Sequence, residues 1–118
     1  MVACDQGYLC EVCGEEVKNI ADSELYLRFV TGQISSQELL GSPERHLRCT
    51  PVTAQFIVTD SFPPVEAPGP FNKHDMDSEF VREQESLLTR GWLRLQELAQ
   101  LEEAIPLADY PLEEFKSV

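Results

Sequence analysis

Two pairs of candidate metal ligands stand out in the chain because both pairs have the same spacing. Cys10 and Cys13 form the first pair, and His46 and Cys49 form the second. Three thiolates and one imidazole are a standard closed ligand set for structural zinc. Gly14, directly after the first pair, can take the positive φ that a tight knuckle needs. The spacing therefore predicts one structural Zn²⁺ per chain, bound by these four side chains.

The fourth cysteine leaves an alternative ligand set open. Cys4 lies close enough to the first pair to replace His46, which would give a site of four thiolates. Zinc is favoured over iron for the set that contains His46, because iron centres of the rubredoxin type need four thiolates. The simplest competing interpretation is a reduced surface CxxC without any metal, with His46 and Cys49 buried nearby.

The residues after the second pair predict how it is positioned. Thr50 is a natural helix cap and Pro51 is a natural first helical residue, so a helix should begin directly after Cys49. The free N–H groups and the positive dipole end at such a helix start favour a thiolate. Residues 52–58 should continue this helix, although their β-branched side chains leave a strand as an open alternative.

A Cys-x2-Cys-Gly knuckle, followed by a second ligand pair that leads into a helix, resembles the treble-clef class of zinc-binding modules. The resemblance covers residues 10–58 and rests on the four ligands and their caps. His46 stands where that class commonly has a cysteine. Helical segments are also predicted between the two pairs, where a hairpin is usual.

The segment between the ligand pairs predicts short elements. Residues 15–20 alternate well enough for a short strand, and residues 23–31 have the apolar spacing of a helix that ends at Gly32. Ser35 and Glu38 have the capping-box relation, so a second and shorter helix should follow. The class expected from these elements is α+β and mostly α.

Beyond residue 60 the composition changes twice. Residues 61–71 hold four of the eight prolines and predict an extended strap along the surface, within a connector of residues 61–76. Residues 77–105 predict one long amphipathic helix, and residues 106–118 an acidic tail. Residues 1–60 would then be the zinc-binding module.

The long helix carries an apolar stripe that includes Leu88, Trp92 and Leu95, and we expect this stripe to contact a partner. Gly91 lies within the stripe, which indicates the close approach of another helix. Residues 77–104 at about 1.5 Å each make a rod of roughly 42 Å, longer than a compact module of about 60 residues. The overhang predicts self-association through this helix, as a homodimer, or a different protein partner.

The charge of the chain excludes two classes of partner. The 21 acidic and 9 basic side chains give a net charge of −12, without the basic face that nucleic acids or anionic membranes require. The first residues do not resemble a secretion signal, and no apolar run is long enough to span a membrane. We therefore expect a soluble cytoplasmic protein, in which cysteines serve as metal ligands rather than in disulfides.

These features favour a protein interaction or regulatory module over an enzyme. The open alternative is a metal-dependent enzyme or a thiol redox protein that uses the same cysteines. A catalytic zinc would need a free coordination position and a nearby base such as Glu44, Glu15 or Glu16, whereas four protein ligands leave water no position. The chain also lacks the His-x-Glu motif of the zinc deaminases.

Overall fold

The structure, a computed structural model, describes residues 9–116, so Cys4 lies outside the described residues. It contains four α-helices, which are α1 (Glu24–Val30), α2 (Ser36–Gly41), α3 (Pro51–Ala54) and α4 (Ser78–Ala99). Within residues 9–116, β pairing is limited to three isolated bridges. The predicted class, mostly α with little strand, is confirmed.

The two helices between the ligand pairs begin where their caps predict. The Ser23 hydroxyl accepts a hydrogen bond from Tyr26 N at the start of α1. Ser35 and Glu38 form both hydrogen bonds of the capping box at the start of α2. The strand predicted over residues 15–20 is wrong, because the chain makes only one bridge there and then enters the 3-10 turn Ile20–Asp22.

α3 is shorter than predicted. Pro51 does occupy its first turn, but the helix ends at Ala54 rather than continuing to residue 58. The next three side chains, of Gln55, Phe56 and Ile57, are all buried. Together with Ala54 they make four consecutive buried residues. In a helix, four consecutive side chains point in all directions around the axis, so a continued helix would turn one of them to solvent. The alternative strand over this segment does not form either.

α4 packs its apolar stripe on α1. Leu88, Trp92 and Leu95 are buried there, and Trp92 Nε1 donates a hydrogen bond to Ala21 O at 3.0 Å. α4 comes close to the end of α1 at Gly91, since a Cβ at this position would lie 2.4 Å from Cγ2 of Thr31. The close helix approach indicated by the sequence is therefore present.

The long helix ends earlier than predicted, at Ala99. Its 22 residues span about 33 Å, within a molecule of 40 × 35 × 27 Å. Glu102 and Glu103 would add negative charge to the carboxyl end of the helix dipole, which disfavours a longer helix. The overhang is therefore absent, and the homodimer stays a prediction without that argument.

The strap and the tail both pack on the helices. Gln55 is buried and binds the strap, because its amide donates to Phe71 O and accepts from Lys73 N. Phe62 packs edge-on against Trp92, with 5.1 Å between ring centroids. Leu112 N in the tail donates to Val30 O at 3.0 Å. Within the described residues, no helix has both the length and the apolar composition needed to cross a membrane.

Candidate metal centre

The four side chains predicted as ligands come together in one cluster. The ligand atoms of Cys10, Cys13, His46 and Cys49 all lie within 4.8 Å of one another. His46 Nδ1 is 3.4 Å from the sulfur of Cys13 and 4.0 Å from that of Cys49. A tetrahedral zinc with bonds of about 2.0 to 2.3 Å holds its ligand atoms about 3.5 Å apart. The cluster therefore has the size of a single metal site.

The first ligand pair is positioned by a tight turn. Gly14 has a φ of 80°, and its N–H donates to Cys10 O at 2.8 Å. The Cys10 sulfur is buried and accepts N–H bonds from Val12 at 3.4 Å and from His46 at 3.3 Å. Such N–H donors stabilise a thiolate. The turn therefore prepares Cys10 for binding a cation.

The second pair is positioned by backbone bridges at its first residue and just before it. A parallel bridge joins Cys10 to Glu44, and an antiparallel bridge joins Ser23 to His46. The 3-10 turn Leu47–Cys49 then returns the second thiol to the imidazole, and its last N–H donates to His46 O at 3.0 Å. The bridges bring the two ligand pairs together although they are far apart in the sequence.

The histidine is oriented by a backbone carbonyl. His46 Nε2 lies 3.0 Å from Glu16 O, and the residue is 2% exposed. Because a carbonyl only accepts, Nε2 carries the hydrogen and Nδ1, which faces the sulfurs of Cys13 and Cys49, keeps its lone pair. Metal-binding histidines commonly have such an outer hydrogen bond. No sequence signal could have found Glu16, since any backbone carbonyl can play this part.

The thiols of the cluster differ in acidity. Burial raises the pKa of Cys10, but N–H bonds from Cys13, His46 and Val12 outweigh it and bring that pKa to about 6. Burial, together with the neighbouring thiols of Cys13 and Cys10, raises the pKa of Cys49 to about 11. Like charges this close disfavour one another, so a bound cation is what would allow all three thiols to ionise.

The nearby acid Glu44 is engaged away from the cluster. Its buried carboxylate accepts a hydrogen bond from the Ser23 hydroxyl at 2.8 Å and from Arg45 N at 3.2 Å. Burial raises the pKa of this carboxyl, and the charge of Glu24 adds to the effect. Glu44 therefore joins the second ligand pair to the start of α1. This link is not predicted from the sequence, in which Glu44 is only a possible base.

One predicted cap differs in detail. Thr50 makes no side-chain bond to the start of α3. Its hydroxyl donates instead to His46 O and Leu47 O, both at 3.1 Å. The hydroxyl therefore stabilises the turn that carries the second ligand pair. Pro51 alone marks the start of the helix.

The residues predicted to contact a partner lie far from solvent. Leu88, Trp92 and Leu95 are 2%, 4% and 0% exposed, in the core beneath α1. Because the same chain buries these residues, the apolar character of the stripe does not require a partner. Contact of a partner with these three residues stays a prediction.

Comparisons with known proteins found no relative, because no family model, curated protein or solved structure matches this chain. The described residues nevertheless contain a Cys3His group that could hold one metal ion. Two ligands are buried, Cys13 is exposed and Cys49 is partly buried. The cluster therefore reaches the protein surface on one side.

Proposed function

We propose that this chain is a protein interaction or regulatory module whose fold is closed by one structural zinc ion. The observation that carries the proposal is the Cys3His cluster, with four ligand atoms within 4.8 Å. Zinc suits three thiolates and an imidazole, whereas iron of the rubredoxin type would need a fourth thiolate. The hydrogen bond from His46 Nε2 to Glu16 O supports this choice, because it leaves Nδ1 free for the ion.

Several contacts support a structural role for the ion rather than a catalytic one. Four protein ligands fill a tetrahedral site, and Glu44, one of the three candidate bases, is bonded to Ser23 and Arg45 N. The ion would cross-link the knuckle to the turn before α3 and neutralise the thiolates. The apparent stabilisation from such a site is about 10 kcal/mol or more.

The knuckle and the helix start after Cys49 support membership of the treble-clef class. α3 is a single turn, however, and α1 and α2 occupy the place of the usual hairpin. The chain would then be a variant with helices inserted between its ligand pairs.

The charge of the chain supports a protein as the partner. A net charge of −12 repels nucleic acids and anionic membranes and attracts basic surfaces. Three reduced thiols in one cluster also suit a reducing compartment, so we place the protein in the cytoplasm.

Elemental analysis of the purified chain tests the proposal. We expect one zinc per chain, lost on Cys10→Ser, Cys49→Ser or His46→Ala and kept on Cys4→Ser. A folded protein without metal would refute the structural zinc. If His46→Ala kept the zinc and Cys4→Ser lost it, the ligand set would be the four cysteines. A thiol that reacts readily in the zinc-loaded protein would support the redox alternative instead.

A further inference from the structure

A surface groove lies at the carboxyl end of α4, outside the metal centre. Its volume is about 410 Å³, within the range of about 300 to 1,000 Å³ that is usual for ligand sites. Its walls combine polar and apolar surface in similar amounts, and the apolar part includes Ile20, Leu98, Leu101, Ile105 and Tyr110. Leu101 is 47% exposed, so the groove presents apolar surface to solvent.

The charge at this groove is mostly negative. Glu102 and Glu103 line it, and among residues 9–116 neither forms an ion pair. The last turn of α4 has no basic residue to offset the negative end of the helix dipole. The nearest arginine along the helix, Arg94, is held by Glu97 and by the carbonyls of the tail. Lys18 is the one base that lines the groove within the described residues.

The negative charge of the chain and of the groove also limits which molecules can bind in the groove. A second copy of the chain would bring another −12 of charge, and a nucleic acid or an anionic lipid would be repelled as well. A protein segment that carries a lysine or arginine beside an apolar side chain matches both the acidic rim and the apolar walls.

We propose that the groove binds a cationic, partly apolar segment of a protein partner. An apolar side chain of the segment would lie against Leu98, Leu101 and Ile105. The neighbouring lysine or arginine would pair with Glu102 and Glu103 at the end of α4. This proposal rests on the proposed interaction function and names the chemical class of its partner.

The test measures binding of a short fluorescein-labelled peptide of leucine, lysine and glycine to the zinc-loaded chain by fluorescence anisotropy. Two matched peptides replace every lysine by glutamate or every leucine by serine. We expect binding of the first peptide alone, weakening as salt is added. Equal or tighter binding of either matched peptide would overturn the proposal, as would the absence of any binding.

A pair of variants with equal charge change locates the site. Glu102→Gln with Glu103→Gln should weaken peptide binding by about tenfold. Glu66→Gln with Glu83→Gln removes the same charge from two exposed acids elsewhere and should change it little. Equal weakening in both double variants would show attraction to the overall charge and would overturn the groove as the site.

Backbone NMR chemical shifts of the isotope-labelled protein, measured with and without the peptide, locate the binding site independently. We expect the peptide to shift the signals of Leu98, Leu101 and Ile105 more than those of the metal centre. Shifts centred elsewhere would overturn the groove. Zinc content and helix signal, measured on the same samples, separate this failure from a failure of the structural zinc.

Discussion

The knuckle that carries Cys10 and Cys13 and the pair of helices α1 and α4 are stabilised by different forces. In the knuckle, Leu9 and Val12 are 61% and 58% exposed, and the chain is ordered by backbone bonds and by the ligand cluster. In the helix pair, Leu27, Val30 and Leu95 are completely buried. We therefore expect the knuckle to depend on the proposed metal ion, whereas the helix pair depends on removing apolar surface from water.

The two regions are nevertheless connected. Leu47, between the ligands of the second pair, is 1% exposed and belongs to the same core as α1 and α4. The Ser23 hydroxyl accepts from Tyr26 N in α1 and donates to Glu44, whose backbone pairs with Cys10. Loss of the metal should therefore reach the helices through these contacts.

Metal removal should have the largest effect. Without zinc we expect the chain to be largely unfolded, because a structural site contributes about 10 kcal/mol or more to folding. Circular dichroism before and after a strong chelator measures the helix signal, and added zinc should restore it. A chelated protein that keeps its helix signal and melting temperature would break the coupling between the two regions. It would show that the helix pair folds without the knuckle.

Removal of a core side chain should come next. Leu95→Ala should lower the free energy of unfolding by about 2 to 5 kcal/mol, because Leu95 is fully buried beneath α1. Val12→Ala in the exposed knuckle should change it by less than about 0.5 kcal/mol. Urea unfolding of the zinc-loaded proteins measures both. Equal losses would show that the knuckle also relies on apolar contacts.

The helix contact at Gly91 gives a smaller and more local prediction. A Cβ there would lie 2.4 Å from Thr31 Cγ2 and 3.0 Å from Leu27 Cδ1. Thr31 is itself buried, and its hydroxyl is bonded to Leu27 O, so it cannot move away easily. Gly91→Ala should therefore cost about 1 to 3 kcal/mol, despite the better helix propensity of alanine.

Gly41→Ala is the matched control, because nothing lies within 4 Å of a Cβ at that position in α2. We expect it to leave the urea midpoint unchanged or to raise it. If Gly91→Ala were as harmless, the helix pair would have to tolerate a wider separation than the structure shows.

Features with a local mechanism were predictable from the sequence. The capping box of Ser35 and Glu38 and the positive φ at Gly14 both form. The two CxxC-like spacings also named four residues that the fold brings together. In each case the side chains that determine the feature lie within a few residues of one another, or have the residue types and spacing of ligands for one ion.

Features that depend on distant contacts were not predictable. α3 stops at Ala54 because the residues that follow are drawn into the core. The carbonyl of Glu16 beside His46, and the hydroxyl of Ser23 beside Glu44, are placed by the bridges between segments. The sequence also does not show that α1 covers the stripe of α4, because the residues of the two helices are far apart along the chain.

An exposed ion pair in the helical region should have the smallest effect. Arg90 and Glu114 form two hydrogen bonds, at 2.8 and 3.1 Å, with side chains 47% and 50% exposed. The hydrogen bonds from Arg90 lower the pKa of the Glu114 carboxyl. Its contribution is therefore complete above the ordinary carboxyl pKa, and it is lost as the pH falls through the lowered one.

The measurement is the difference in unfolding free energy between the natural chain and Arg90→Gln at each pH. Taking this difference cancels the effect of any metal that acid would release from both proteins. Arg82→Gln, on an exposed arginine of the same helix, is the control. We expect the difference to be small at neutral pH and to shrink toward acid. A difference as large as that of Leu95→Ala would mean that charge, and not apolar burial, holds the tail and α4 together.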